Sequence, residues 1–304
     1  MVRMKLAVVI NGSAGALLDQ SSEDAAARIE NLFRDRGATA TVTVAPPGGL
    51  METLRAAVAT DADAVVVGGG DGTVAAAATL LVDTDKAMGV LPLGTANLLA
   101  KDLHMALDLE AAVGQLAQGE IRAVDVAEVN GTVFLCNAVL GLFPMLARYR
   151  ERHRHEPGFA KWLHLGAATL AAMRRYPRLE MEIDLGSGPQ RRRTMALAVA
   201  NNAYDDAFFS FFARSNLGAG ELAVYLARHK TSFGMFRMAT RMLLGRWQSD
   251  RDLSVERVRE VTVRTPKRSL AVAIDGEVHR VATPLRFRMR PGALKVLVPA
   301  GALP

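Results

Sequence analysis

Short apolar runs alternate with helical patterns along the first 120 or so residues, an alternation typical of a sheet with parallel strands. The runs are brief and lack the polar alternation of a half-solvated strand, so we expect them to be buried on both faces. The predicted strands are Lys5–Ile10, Thr39–Val44, Ala64–Val67 and Met88–Leu91. Apolar spacing predicts one helix that ends at Gly37 and another that begins near Leu50.

The pattern changes after Gly119 to strands joined by tight turns. Asn130-Gly131 separates Val126–Val129 from Thr132–Leu135 and predicts a hairpin with a two-residue turn. Further predicted strands are Leu179–Leu185, Thr194–Ala200, Leu222–Leu226, Val258–Arg264, Leu270–Ile274 and Leu285–Met289.

These patterns predict an α/β fold with two domains. The first, residues 1–125, is a doubly wound nucleotide-binding domain, and the second, residues 126–290, is mostly β and sandwich-like. A C-terminal segment of about 290–304 could return to the first domain.

Composition narrows the setting in which the chain works. With 304 residues and 50% apolar content it can bury a large core. Its single cysteine, Cys136, excludes an intrachain disulfide and fits a reducing, cytoplasmic compartment. The longest apolar stretch, Val133–Ala147, falls short of the roughly 20 residues that a membrane span needs, so we expect any membrane contact to be peripheral.

The net charge of +6 favours phosphates, nucleic acid or anionic lipid as partners. Nucleic acid is disfavoured because the 6% of aromatic residues form no stacking platform. Arg191-Arg192-Arg193 and Tyr149–His155 could contact acidic headgroups, and His153 and His155 are interpreted as surface residues.

A helix over Ser232–Trp247 would place aromatic residues on one stripe and Arg237 and Arg241 on another. Such a helix can lie on anionic lipid, or it can simply cover the core of the β domain.

The motif Gly68-Gly69-Gly70-Asp71-Gly72-Thr73 leads from a buried strand into an alanine-rich helix, Ala75–Leu81. Glycines allow a close backbone approach, and a helix N-terminus offers N–H groups to phosphate oxygens. A bare carboxylate at Asp71 would repel phosphate unless magnesium or a substrate hydroxyl lies beside it. The alternative is a plain strand-to-helix turn in which Asp71 caps the helix.

A second turn of the same kind follows in Gly89–Asn97, where Gly94 and Thr95 could bind phosphate and Asn97 could offer an amide to phosphate or base. Because the carboxyl ends of neighbouring strands form the ligand crevice of an open α/β sheet, we expect both turns to bind one nucleotide. A third turn, Asn11-Gly12-Ser13-Ala14-Gly15, could line the same crevice.

Taken with Asp275-Gly276-Glu277 near the C-terminus, these three turns resemble the catalytic domain of the diacylglycerol kinase and sphingosine kinase superfamily. The resemblance implies that the glycine turns bind ATP with Mg²⁺, and that a lipid at a membrane surface is phosphorylated on a hydroxyl. It also implies that Glu277 accepts the hydroxyl proton with support from Asp275, and it leaves Asp71, the base proposed for sphingosine kinases, as a third candidate. From the residues alone, Asp275-Gly276 also predicts a two-residue hairpin turn.

The chain departs from the family pattern in four places. Leu98 follows Asn97 where many relatives have aspartate, so a polar contact made there is missing or supplied elsewhere. Gly12 replaces the usual proline, and Leu217–Leu222 lacks an aspartate that helps many bacterial members to hold a structural magnesium. The loop Asn201–Asp206 lacks the usual glycines.

Two other functions fit parts of the pattern. A NAD kinase shares the Gly-Gly-Asp-Gly turn and the two-domain plan, although the Leu91–Asn97 turn argues against it. A nucleotide-binding regulator without catalytic activity would account for Leu98 and for the missing aspartate near Gly218.

Overall fold

The computed structural model describes residues 4–13, 22–141, 144, 179–194, 196–205, 213–227, 234, 237, 241 and 250–302. The chain divides into two compact units. Unit 1 comprises Met1–Val126, Asn216–Ala219 and Arg290–Pro304, and unit 2 comprises Ala127–Ser215 and Gly220–Met289.

Among the described residues, every helix longer than a single position lies in unit 1. These helices are α1 (Ser22–Asp35), α2 (Leu50–Val58), α3 (Asp71–Leu81), α4 (Leu98–Asp102) and α5 (Leu109–Ala117). The strands are β1 (Lys5–Asn11), β2 (Thr39–Ala45), β3 (Ala64–Gly69), β4 (Ala87–Pro92), β5 (Glu120–Val129), β6 (Thr132–Phe134), β7 (Asn137–Gly141), β8 (Leu179–Asp184), β9 (Pro189–Thr194), β10 (Ala196–Asn201), β11 (Leu222–Ala227), β12 (Leu253–Val258), β13 (Glu260–Arg264), β14 (Ser269–Ile274), β15 (Glu277–Ala282) and β16 (Leu285–Val298).

Unit 1 is built on a parallel sheet in the order β2-β1-β3-β4, which the C-terminal part of β16 extends beside β4. Every residue of β3 and β4 is buried, as expected for parallel strands with helices on both faces. Helix α1 packs with α5, and α2 packs with α3. Since right-handed crossovers take α1 and α2 to opposite faces of this strand order, the sheet is doubly wound.

Unit 2 is a sandwich of two mostly antiparallel sheets. One contains the N-terminal part of β16 with β13, β8 and β9, and β5 and β6 join it; the other has the order β12-β11-β10-β7-β14-β15. Side chains from both sheets form one core, in which Leu140 and Val272 of one sheet share a cluster with Ile183, Val263 and Phe287 of the other. The predicted fold class, an α/β domain followed by a mostly β sandwich, is thus confirmed.

Several local expectations need correction. The predicted strand Val258–Arg264 is interrupted at Arg259: Val258 is the last residue of β12, and Glu260–Arg264 form β13. Helix α3 begins at Asp71 rather than Ala75. Strands β7, β9 and β12 and helix α5 were not predicted; β9 is a polar edge strand, whose sequence PQRRRT carries no apolar pattern.

Candidate active site

Three turns leave the sheet of unit 1 at the carboxyl ends of neighbouring strands. The register pairs Ile10 with Gly68 and Gly69 with Pro92, so three turns lie at one edge of the sheet. In chain order, the first turn follows β1, the second follows β3 and the third follows β4. The N–H of Leu93 also donates to the carbonyl of Gly69 at 3.2 Å, which joins the second and third turns directly. The expectation that these turns lie side by side is met. Ala14 and Gly15 of the first turn fall outside the described residues.

The second and third turns approach so closely that side chains would not fit between them. A Cβ atom at Gly94 would stand 2.4 Å from the Cα of Gly70, and one at Gly69 would stand 2.5 Å from Thr73 Oγ1. A Cβ at Gly68 would meet Ile10 Cδ1 at 2.4 Å. Close packing against the backbone of Gly70 therefore requires glycine at position 94, and it leaves bare backbone at this edge of the sheet.

Asp71 uses its carboxylate to join these two turns. Oδ1 accepts the N–H of Leu98 at 2.7 Å, and Oδ2 accepts the N–H of Asn97 at 3.1 Å. Gly70 is the N-cap of α3, so Asp71 is the first residue of that helix and does not cap it. The interpretation that Asp71 caps its own helix is therefore wrong, because its carboxylate binds the N–H groups of the following turn, which would otherwise lack an acceptor.

Asn97 closes its own turn with its side chain. Its Oδ1 accepts the N–H of Gly94 at 3.0 Å, and its Nδ2 donates to the carbonyls of Gly94 at 2.8 Å and Pro92 at 3.3 Å. The residue is buried and adopts the left-handed conformation, with φ of 50°. Both ends of the amide thus shape the turn, while Thr95 stands exposed beside it.

Asn11 ties the first turn to helix α3. Its Nδ2 donates to Thr73 Oγ1 at 2.9 Å, and its Oδ1 accepts the N–H of Ser13 at 3.0 Å. Thr73 is buried, and its hydroxyl is engaged by Asn11. The first N–H groups of α3, with Gly72 exposed among them, are the donors that point away from the helix.

Asp275 and Glu277 lie in unit 2, on the hairpin of β14 and β15. Asp275 and Gly276 both have positive φ, 45° and 89°, as a two-residue type I′ turn requires, so the predicted hairpin is confirmed. The side chain of Glu277 is 69% exposed, and His279 Nε2 lies 3.8 Å from its carboxylate. Glu277 is thereby free to meet a substrate.

Asp275 has a different environment. The residue keeps some exposed surface, but its carboxylate points inward and accepts three backbone N–H groups: Leu135 at 2.7 Å, Cys136 at 2.8 Å and Asn137 at 3.0 Å. Burial raises the pKa of the Asp275 carboxyl, while the three N–H groups and the nearby Arg214 guanidinium oppose that rise. These contacts suit a residue that holds the turn in place.

Sequence reasoning overlooked a buried polar cluster behind Asp275. The Asn137 Nδ2 donates to Tyr204 Oη at 2.7 Å, Asn201 Nδ2 donates to the carbonyl of Leu135 at 2.9 Å, and Arg214 is 2% exposed. The loop after Asn201 drew attention as a family motif. Arg214 carried no signal, because an arginine in Ala213-Arg214-Ser215 looks like an ordinary surface residue.

The arginines proposed for lipid contact have partners in the structure. Arg237 and Arg241 both pair with Asp250, at 3.3 and 3.2 Å, and Arg237 pairs with Asp252 at 2.9 Å. In β9, Arg193 forms an ion pair with Glu180. The aromatic stripe of Phe233, Phe236, Leu243 and Trp247, and the segment 149–155 with His153 and His155, lie outside the described residues.

The described part of the chain contains no group of three or more histidine, cysteine or acidic residues that could hold a metal ion. It also contains no helix that is long and apolar enough to cross a membrane.

Comparison with known proteins adds to this geometry. Residues 5–129 match the diacylglycerol kinase catalytic domain, and residues 145–298 match the YegS C-terminal NAD kinase beta sandwich-like domain. Proteins described as probable lipid kinase YegS-like, from Yersinia pestis and Yersinia pseudotuberculosis, are 35% identical over 115 residues, which is 36% of this chain and 39% of theirs. A solved diacylglycerol kinase from Bacillus anthracis str. Sterne covers 100% of both chains with a TM-score of 0.73 and 16% identity, so it shares the fold.

Proposed function

The chain belongs to the family that joins a diacylglycerol kinase catalytic domain to a YegS-like C-terminal domain, and we propose that it is an ATP-dependent lipid kinase. The acceptor is a hydroxyl of diacylglycerol or a related lipid at a membrane surface. The observation that carries the proposal is the contact of Gly70 with Gly94, where two strand-end turns present bare backbone that a single Cβ would obstruct.

The turns of unit 1 fit a triphosphate. The half-buried Gly70 and the exposed Gly72 lie at the N-terminus of α3, where N–H groups and the helix dipole favour phosphate oxygens. Thr95 adds an exposed hydroxyl from the neighbouring turn. Asn11, Gly68, Gly69, Thr73 and Asn97 shape this surface through the contacts described above.

ATP, bound with Mg²⁺, would supply the phosphoryl group and shield its charge. Asp71 is our candidate carboxylate for the magnesium ion. Each of its oxygens accepts one N–H group and keeps a second lone pair, so the bridge to Asn97 and Leu98 leaves acceptor capacity for a cation.

Glu277 is the proposed proton acceptor. An exposed carboxylate on a rigid two-residue turn can reach a substrate hydroxyl and take its proton as the oxygen forms a bond to phosphorus. Asp275, whose oxygens hold three N–H groups, supports the turn. Asp71 is a weaker candidate for the base because both of its oxygens already bridge two turns.

A NAD kinase is the second candidate, since the family description of residues 145–298 names a NAD kinase-like sandwich. The experiment uses the purified full chain with radiolabelled ATP and Mg²⁺, and offers mixed micelles of diacylglycerol, monoacylglycerol, phosphatidylglycerol or sphingoid base beside NAD. We expect label in a lipid and none in NAD. Label in NAD alone would replace the lipid proposal, and ATP binding without any transfer would indicate a regulator.

A further inference from the structure

Arg214 is a charged side chain with almost no access to solvent, at 2% exposed. One of its terminal nitrogens donates to the carbonyl of Leu135 at 2.6 Å and to the carbonyl of Asn201 at 2.9 Å. The other lies 3.5 Å from the Cys136 sulfur. Burying a guanidinium away from water lowers the stability of the folded state unless other interactions compensate, so the burial of Arg214 needs a physical reason.

The peptide group between Leu135 and Cys136 connects Arg214 to Asp275. Its oxygen accepts from the Arg214 guanidinium at 2.6 Å, and its N–H donates to Asp275 Oδ1 at 2.8 Å. A cation on the oxygen makes the N–H of the same peptide a stronger donor, because neighbouring hydrogen bonds polarise one another in a low dielectric. Arg214 therefore strengthens the hydrogen bond from the N–H of this peptide to the Asp275 carboxylate.

The adjoining peptides reinforce the connection. The N–H groups of Leu135 and Asn137 also donate to the Asp275 carboxylate, and the N–H of Asp275 donates back to the Asn137 carbonyl at 2.9 Å. Asp275 is the first residue of the two-residue turn, and Glu277 begins β15 directly after it. The position of Glu277 thus depends on peptides that Arg214 holds from the other side.

We propose that Arg214 is a positioning residue for Glu277, acting through the Leu135–Asn137 peptides and the Asp275 carboxylate. This inference rests on the proposed function, because it takes Glu277 to be the proton acceptor. The favourable coulombic interaction of Arg214 with Asp275, which opposes the rise in the Asp275 pKa, agrees with the contacts.

Arginine has the geometry that this place needs. Its planar fork donates to two carbonyls from one nitrogen while the other nitrogen faces sulfur, and lysine, with a single ammonium, cannot occupy all three positions. Arg214→Lys therefore keeps the charge and loses the fork. It is the variant that separates positioning from charge alone.

The kinetic test compares Arg214→Lys, Asp275→Asn and the double variant with the wild type. Since a small misplacement of a reacting group can cost about 100-fold, we expect Arg214→Lys to lower kcat by roughly that factor and to leave KM for ATP within about twofold. Because both residues act on one turn, the double variant should be no slower than the slower single variant. The matched control is Arg264→Lys, an exposed arginine of the same unit that lies 3.6 Å from Glu182, which should keep its kcat.

A second test does not depend on activity. Amide hydrogen exchange, followed by mass spectrometry, should rise about tenfold or more in Arg214→Lys over residues 133–138 and 270–280, and should not rise in Arg264→Lys. If the wild-type chain phosphorylates no lipid, the proposed function fails while this exchange measurement still decides whether Arg214 governs the turn. Faster exchange over residues 133–138 without faster exchange over residues 270–280 would show that Arg214 does not act on the turn that carries Asp275 and Glu277.

Three kinetic results would overturn the proposal: a folded Arg214→Lys enzyme with wild-type kcat, a loss of kcat and of ATP affinity together, or effects of Arg214→Lys and Asp275→Asn that add in full. Should Arg214→Lys fail to fold, Asn201→Ala removes the other side-chain donor to the Leu135 carbonyl and is judged by the same measurements. Wild-type kcat and exchange in that variant would equally refute a role for these peptides.

Discussion

The Oδ1 oxygen of Asp71 accepts a hydrogen bond of 2.7 Å from the backbone N–H of Leu98. Asp71 opens α3 and Leu98 opens α4, so one side chain binds the start of the next helix to the start of its own. The bond involves only the backbone of Leu98, which explains how a leucine is tolerated where many relatives of the resembled superfamily carry aspartate.

Replacement of Asp71 by asparagine should weaken both the fold and nucleotide binding. The amide can still accept from Leu98, but its NH₂ group would face the N–H of Asn97, leaving one donor unsatisfied. We expect a loss of about 1–3 kcal/mol in the free energy of unfolding, measured in urea, and a higher KM for ATP together with a lower kcat.

The matched control is Asp85→Asn, which removes an exposed carboxylate of the same unit paired with Lys295 and should change neither quantity. A drop in kcat alone, with stability and KM intact, would show that Asp71 acts in chemistry and that the bridge to Leu98 is incidental.

Gly94→Ala should weaken ATP binding more than a glycine-to-alanine change at a position with free space for a Cβ atom. The added Cβ would lie 2.4 Å from the Cα of Gly70 and 2.8 Å from Asn97 Oδ1, and backbone cannot withdraw as a flexible side chain can. Overpacking of this kind costs about 1–3 kcal/mol and should push the two turns apart.

Calorimetric titration with ATP would measure the loss of affinity in Gly94→Ala. Gly218→Ala serves as its control, because the nearest atom to a Cβ there is Asn216 Oδ1 at 3.8 Å. Equal ATP affinity in both variants would mean that the Gly70–Gly94 contact does not shape the binding surface.

The sequence was informative where local chemistry decides structure. Buried apolar runs predicted the parallel strands of unit 1, and Asn130-Gly131 and Asp275-Gly276 predicted two tight turns whose residues all have positive φ. In each case the residues that carry the signal are the residues that adopt the conformation.

Contacts that join distant backbone groups left no such signal. Nothing in the residues around Leu135 indicates that its carbonyl accepts from Arg214, because every residue other than proline has the same N–H and C=O groups. For the same reason the bridge from Asp71 to Leu98 was not foreseen, although both turns were.

The variants Glu277→Gln and Asp275→Asn should distinguish the proposed proton acceptor, Glu277, from the residue that stabilises its turn, Asp275. Since Glu277 is 69% exposed and bridges nothing but a histidine 3.8 Å away, its replacement should leave the melting temperature unchanged. Loss of a general base should lower kcat by roughly 10²–10⁴ with little change in KM for ATP. Glu260→Gln, another exposed acid of unit 2, is the control.

Asp275→Asn should instead lower the free energy of unfolding by about 1–3 kcal/mol, because its NH₂ group would oppose one of the three N–H donors. Asparagine also loses the favourable interaction of the Asp275 carboxylate with the Arg214 guanidinium, which opposes the rise in the Asp275 pKa that burial causes. If Glu277→Gln kept full turnover while a stable Asp275→Asn lost it, the two roles would have to be exchanged.

Tyr204 should make the fold sensitive to alkali. Burial raises the pKa of its phenol, which accepts from Asn137 Nδ2 at 2.7 Å and stacks on Tyr225 with ring centroids 5.7 Å apart. A group whose pKa is higher in the folded state than in the unfolded state stabilises the fold fully below the unfolded value and loses that contribution as pH rises. Stability should therefore decline above about pH 10, where the unfolded phenol ionises.

The substitution Tyr204→Phe removes the ionisable phenol. The slope of unfolding free energy against pH, measured in urea between about pH 10.5 and 12, should become shallower by up to about 1.4 kcal/mol per pH unit. At neutral pH the variant should be weaker by about 1–3 kcal/mol, since Asn137 loses an acceptor. Identical slopes for the two proteins would show that Tyr204 ionises without opening the fold.

Asp250 should restrain the affinity of the chain for anionic membranes. Its side chain is fully buried and pairs with Arg237 and Arg241, so the protein itself offers a negative charge to the two arginines of a helix that could either lie on anionic lipid or cover the core. Asp250→Asn removes one negative charge beside these arginines, of which Arg237 keeps its ion pair with Asp252, and should lower the melting temperature. It should also strengthen binding to phosphatidylserine vesicles by up to about tenfold, because one more positive net charge near an anionic surface adds about 1 kcal/mol to binding. Vesicle sedimentation at low and high salt would measure this, and Glu260→Gln, which changes the net charge equally at an exposed site, controls for charge alone. Equal binding by both variants would mean that the stripe never meets the membrane and that these arginines serve to anchor Asp250.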